Sequence, residues 1–185
     1  MTIFSVEQFK ASLDRGGARP NQFQVILTFP TWVPAAANAL RKGPFLVKSA
    51  TLPGQVVPPA TVQYRGRAVH FAGDRVYAPW SINVINDSDF TIRTAFEQWM
   101  NGMDDLRAKE GVIRPVEYQT DLLVQQLDRN GSILKSYRIV EAFPTEVSDV
   151  GLDFGANDVI SEFTVTLTYQ RFEIENTQLI IPGNP

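Results

Sequence analysis

Between Val159 and Phe172 the chain alternates more cleanly than anywhere else along its 185 residues. Val159, Phe163, Val165, Leu167 and Tyr169 fall on one side, and Ile160, Glu162, Thr164, Thr166, Thr168 and Gln170 on the other. A strand sends successive side chains to opposite faces, so this spacing predicts a strand with one apolar and one wet face. Such a strand has to be covered on its apolar side, which restricts the fold to layers packed across a shared core.

The same rhythm recurs elsewhere. Gln22 to Phe29 places Phe23, Val25, Leu27 and Phe29 on one side, and Phe45 to Thr51 predicts a further strand that stops at Leu52-Pro53-Gly54. Val62–Phe71 and Arg75–Asn86 read as the two strands of a hairpin around Ala72-Gly73-Asp74, with Trp80, Ile82 and Val84 facing one way. Tyr118–Asp128 and Ile133–Phe143 form a second hairpin across Arg129-Asn130-Gly131, where Asn-Gly supplies the positive φ of a tight turn.

One long stretch has helical spacing instead. Ile92, Ala95, Phe96, Trp99 and Met103 share a face, behind Asp87-Ser88-Asp89, whose oxygens suit the free N–H groups and positive end of a helix. A short helix is predicted at the N-terminus, with Ser5 and Gln8 as a capping box, Val6, Phe9 and Leu13 on one face, and Gly16-Gly17 as its end. Pro30 to Pro44 has three prolines, an apolar middle and a basic end, and reads as a long loop with one helical turn at Ala35–Leu40. About seven strands and one main helix make a mainly β (α+β) chain, an antiparallel sandwich or open barrel with a flanking helix. It reads as a single domain over 1–185, with a helical arm at 1–18, an insertion loop at 30–44 and a C-terminal extension at 176–185 that has no core of its own.

Catalytic residue types are sparse. With one histidine, His70, and no cysteine, the usual zinc sites cannot form within one chain, and no disulfide is possible. No serine lies in a nucleophile-elbow phrase. Asp87 and Asp89 read as helix caps, and Asp104 and Asp105 as a solvated turn after the helix. Asp149–Asp158 lacks calcium-loop spacing, and no Gly-Lys-Ser/Thr follows Gly151-x-x-x-Gly155 to make a phosphate loop. Tyr64-Arg65-Gly66-Arg67 echoes RNA-binding composition weakly and is better read as a strand edge. No catalytic, cofactor or metal site is expected. Neither a bilayer-length apolar run nor a secretory leader is present, so synthesis in the cytoplasm without membrane insertion is the expectation.

Charge is unevenly divided. Residues 1–93 hold 10 Lys/Arg against 5 Asp/Glu, and residues 94–185 hold 7 against 15. Either the halves form complementary patches for head-to-tail contacts between copies, or they mix within one sandwich.

Five phrases, in order, resemble the tail-tube proteins of contractile-tailed bacteriophages: GGARPNQFQV (16–25), SATLPG (49–54), GDRVYAPWSINVINDSDFTIRTAFEQW (73–99), EAFPTEVSDVGLDF (141–154) and ISEFTVTLTYQRFE (160–173). The resemblance spans about residues 15–175 and extends to the tube protein of type VI secretion. It implies hexameric rings that each give strands to an inner β-barrel and stack into a tube within a contractile sheath. The implied partners are other copies, the tail sheath protein, and the baseplate and tail terminator proteins. DNA would pass through the lumen without specific binding. The virion tail is the implied location, with assembly in the host cytoplasm. The alternatives are a tube initiator or terminator in the baseplate or neck, and an injection-system tube that carries protein effectors.

Three surfaces carry these expectations. The 30–44 loop, through Trp32, Val33, Leu40, Arg41 and Lys42, is expected to dock on the adjacent ring; the alternative is that Trp32 folds back over its own sandwich. Asp74 and Arg75, at the expected hairpin tip, are either interface residues or a local surface pair. Glu162, Thr164, Thr166, Thr168 and Gln170 are expected to face the lumen, the alternative being a solvent-facing sheet.

Overall fold

Fifteen residues of strand, Ile133–Val147, run through two sheets and tie them together. The computed structural model describes residues 5–13, 17–104 and 114–175. In chain order, helix α1 (Val6–Ser12) precedes strand β1 (Phe23–Ile26) and helix α2 (Ala36–Leu46), which runs directly into β2 (Val47–Ala50). Four short strands follow: β3 (Gln55–Val56), β4 (Pro59–Tyr64), β5 (Arg67–Ala72) and β6 (Val76–Tyr77). Then come β7 (Trp80–Ile85), α3 (Thr91–Met103) and the single turn α4 (Pro115–Tyr118). The chain continues with β8 (Thr120–Leu127), β9 (Ile133–Val147), β10 (Glu162–Thr168) and β11 (Arg171–Glu175).

All pairing is antiparallel. The main sheet runs β1-β8-β9-β10-β7-β2, and β11 also pairs with β9. Ser136–Val140 of β9 faces β11, whereas Phe143–Val147 faces β10. Between these halves Glu141 has φ +56°, and its N–H is taken by the Asp121 carboxylate at 3.0 Å. The bend gives two layers, β1-β8-β9-β11 and β9-β10-β7-β2, with the core between them. The barrel stays open, with β1 and β2 at the two ends of the strand order.

Alternation built these strands as expected. In β7, Trp80, Ile82 and Val84 are buried, and in β10 Phe163, Val165 and Leu167 are; the other layer contributes Val25, Leu122, Val124 and Ile139. The β8–β9 turn forms around Gly131 (φ +79°). Helix α3 adds Ile92, Ala95, Phe96 and Trp99 to the same core. Phe29 meets Phe96 and Trp99 edge-on, with ring centroids at 5.1 and 5.6 Å. The Trp99 indole N–H donates to the Tyr118 carbonyl at 2.8 Å, so its polar atom is satisfied within the core. Ser5 and Gln8 form the expected capping box on α1; Gly16 lies outside the described residues, as do Asp105 and the 176–185 extension.

Three expectations need correction. Residues 36–46 are a helix, not one turn in a coil: it takes in the second half of the supposed 30–44 loop and the first two residues of the strand expected at Phe45–Thr51, which starts only at Val47. Pro44 forgoes the bond its own N–H would make back to the Leu40 carbonyl, and because it stands in the last turn only two helical residues follow the disruption. Gly43 is buried, and a Cβ there would lie 3.3 Å from Leu27, so the glycine marks close packing and not a break. The second correction concerns the hairpin around Ala72-Gly73-Asp74. The hairpin is β4–β5, with Tyr64 opposite Arg67 and the turn at Arg65 and Gly66, both at positive φ. Gly73 instead passes close to β4: its N–H donates to the Pro58 carbonyl at 2.8 Å, and a Cβ there would fall 2.6 Å from that oxygen. The third is the strand expected at 159–172: Val159 and Ile160 lie exposed in the connection before it, and the rest forms two strands, β10 from Glu162 and β11 from Arg171, separated by a bend at Tyr169-Gln170.

Candidate assembly surfaces

Trp32 and Val33 belong to the chain's own core. Val33 is buried, and the Trp32 ring lies so close to Gly102 of α3 that a Cβ there would be 2.1 Å from it. The Trp32 indole N–H donates to the Glu117 carbonyl at 2.8 Å, fastening α4 to this face. Lys42 is also engaged within the chain, paired with Asp87 and within 3.4 Å of Asp89, and it donates to the Thr91 hydroxyl at 2.9 Å. It does not reach out as a free cation. Leu40 and Arg41 remain exposed on α2, beside an even more exposed Phe45.

The Lys42 cluster explains how α3 begins. Its first flanking residue, Phe90, has φ +51° and a side chain that cannot cap. Asp87 supplies the cap from further back, accepting from the Thr91 N–H and hydroxyl, each at 2.8 Å. Burial pushes the Asp87 carboxyl up, but the hydrogen bonds from Lys42 and Thr91 outweigh it and hold the group below the usual carboxylate range. Its bond to Asp87 raises the Lys42 ammonium above its ordinary value.

Opposite conditions hold at the β4–β5 arm. Every residue of these two strands is exposed, and they pair only with each other. Val62 (53%), Tyr64 (62%), Val69 (40%) and Phe71 (58%) stand in water. His70 is exposed in β5, its Nδ1 3.0 Å from the hydroxyl of its cross-strand neighbour Thr61. Asp74 and Arg75 are exposed at the base of this arm, after β5, and not at its tip.

A second bare segment joins β9 to β10. Residues 151–160 are all exposed, including Leu152, Phe154, Val159 and Ile160. Both ends of the segment are fastened. Ser148 donates its N–H to the Thr164 carbonyl at 2.9 Å, its hydroxyl oxygen accepts from the Thr164 N–H at 3.0 Å, and its carbonyl accepts from Arg93 at 3.0 Å. At the other end the Ser161 carbonyl accepts from the Asn86 N–H at 2.9 Å.

The wet face of the second layer is ordered by polar contacts. Lys48 pairs with Glu162 at 2.5 Å, and the Asn83 amide donates to the other Glu162 oxygen at 3.1 Å. Thr166 lies 3.4 Å from Ser81, hydroxyl to hydroxyl, and the Thr145 hydroxyl donates to the Thr166 carbonyl at 3.1 Å. Glu162, Thr164, Thr166 and Thr168 alternate with the buried residues of β10 and so share this face. Gln170 does not continue their row: it sits at the bend, where its N–H donates to the Val140 carbonyl at 3.2 Å.

A family model described as phage tail tube protein matches residues 18–175. The chain belongs to the phage tail tube protein family. The tail tube protein of Serratia phage KSP90 is 28% identical over 170 residues, covering 89% of this chain and 94% of that relative. Tail tube protein gp19 of Enterobacteria phage T4 is 30% identical over 161 residues, covering 84% and 91%. Among solved structures, the sheath/tube terminator of the extracellular contractile injection system PVC in its extended state shares the fold. Its TM-score is 0.60 at 14% identity, over 83% of this chain and 93% of that one. The chain is thus a structural tail tube subunit, a component of the virion tail. No helix among the described residues is long and apolar enough to cross a membrane.

The exposed apolar surface of the β4–β5 arm and of the 151–160 segment was not picked out from the sequence. Its signal is apolar residues set among turn formers. Leu152 and Phe154 sit among Asp and Gly, and Val62, Val69 and Phe71 flank Arg-Gly-Arg.

Proposed function

We propose that this tail tube subunit closes with copies of itself into hexameric rings, that the rings stack, and that the hollow tube carries DNA into the host. The β4–β5 arm carries this reading. A lone two-stranded ribbon is marginal in water, and this one exposes valines, a tyrosine and a phenylalanine along its length. A neighbouring copy gives it something to bury against. The open edges at β1 and β2 are the natural place for ring closure, since closure removes unpaired strand edges.

The lumen in this reading is lined by the wet face of β2, β7, β10 and the second half of β9. Lys48 is the one Lys or Arg in these strand segments, and Glu162 holds it. A hydroxyl-rich lining with its cation neutralised offers phosphates no array to condense on, so DNA slides and does not bind. A sheath encloses the tube, and baseplate and terminator proteins bound its ends. The role is one of assembly, without a chemical step.

Negative-stain imaging and light scattering across a concentration series test this. Rings and stacked tubes are expected at near-physiological salt. A clean monomer throughout overturns the reading, and short capped discs that never lengthen indicate an initiator or terminator.

A further inference from the structure

The arm and the 151–160 segment are both apolar and exposed, and they carry opposite charge. From Gln55 to Pro79 the chain holds Arg65, Arg67 and Arg75 against Asp74 alone. From Asp149 to Ile160 it holds Asp149, Asp153 and Asp158 and no Lys or Arg. Resting on the tube reading above, we infer that the β4–β5 arm of one copy seats on the 149–160 segment of the next.

Topology keeps the two apart within one chain. The arm leads into β7 at Trp80, which is paired with Leu167, whereas the acidic segment leads into β10 at Glu162, paired with Ile85. They therefore leave opposite ends of the same ladder, about 17 Å apart at a strand rise of roughly 3.4 Å per residue. Copies aligned along that ladder direction bring an arm to an acidic segment at every junction. Arm against arm would oppose arginines, and segment against segment would oppose aspartates, so the contact is heterologous and propagates. Leu152 and Phe154 offer apolar cover for Val62, Val69 and Phe71, and the carboxylates face Arg65 and Arg67. The fixed ends of the segment, at Ser148 and Ser161, make it a seat and not a dangling loop.

Charge exchange tests the pairing. One variant carries Arg65→Glu with Arg67→Glu; another carries Asp149→Lys, Asp153→Lys and Asp158→Lys. Each changes only exposed side chains, and circular dichroism with a thermal melt checks that each stays folded. Either variant alone should fail to stack, at least tenfold below wild type by sedimentation of tubes. An equimolar mixture should co-assemble, because each arm then meets a segment of opposite sign, and labelled copies should alternate. An arm variant that stacks like wild type overturns the contact, as does a mixture no better assembled than its components. A wild-type chain that forms a closed two-fold dimer also overturns it. Wild-type tubes beside an unaffected arm variant sink this contact alone; a wild-type protein that stays monomeric sinks the tube reading and the contact together.

Discussion

Trp99 and Phe71 are both large aromatic residues in regular elements, and the molecule treats them in opposite ways. Trp99 is fully buried, with ring contacts to Phe29 and Phe96 and its N–H satisfied by Tyr118. Phe71 sits opposite Ala60 on a ribbon whose strands pair only with each other, 58% exposed. The core around α3 holds the monomer together, while the arm adds little to the monomer and presents its apolar surface outward. Under the proposed tube assembly, folding and assembly fall to separate parts of one chain, and substitutions in each should report on one and not the other.

The largest expected effect on folding is at the core. Trp99→Ala should lower stability by about 3–5 kcal/mol, read from a urea denaturation curve. A loss no greater than at Phe71 would erase the contrast between the regions. Next comes Gly102→Ala. Its new methyl would collide with the Trp32 ring and should cost about 1–3 kcal/mol, as overpacking does. An unchanged melting temperature would mean that Trp32 is free to leave α3, which would restore it as a contact residue.

Asp87→Ala removes the cap of α3 and should cost about 1 kcal/mol. Its pH dependence sharpens the point. Asp87 titrates below its unfolded value, which is about 3.9 for aspartate. Its contribution is therefore fully present above about pH 4 and fades as pH falls through the lower, folded value. Wild type should lose part of its stability over that acid range, and Asp87→Asn should lose less of it. Equal acid slopes in the two proteins would exclude Asp87 as the responsible group. The smallest effect on folding is expected in the arm: Phe71→Ala should change stability by under about 0.5 kcal/mol while reducing ring stacking. Equal stacking in that variant would remove the arm from the assembly contacts.

Much of the body was legible because its residues obey one period at a time. Ile92, Ala95, Phe96 and Trp99 keep helical spacing, β7 and β10 keep strict alternation, and Asn130-Gly131 marks its own turn. Helix α2 was hidden because Pro34, Gly43 and Pro44 are ordinarily breakers, and only tertiary packing shows that Gly43 lies against Leu27. The hairpin was misplaced because two glycines, Gly66 and Gly73, offered alternative turns. A positive φ selects the first, and close approach to Pro58 explains the second. Of the residues chosen for contact, Trp32, Val33 and Lys42 were spent within the chain because burial and pairing are settled by distant partners, Gly102 and Asp87 among them. The β10 threonines could be chosen from alternation alone, since one strand's period decides which residues share a face.

The bend at Glu141 has a mechanical consequence. Because β9 runs continuously from one layer into the other, neither layer can slip along its strands without dragging the other. A slip of one residue would turn apolar side chains out of the core in both layers together. A push along the ladder is therefore met by both sets of backbone hydrogen bonds acting in parallel. The subunit is braced against shear by a single covalent strut that spans both layers.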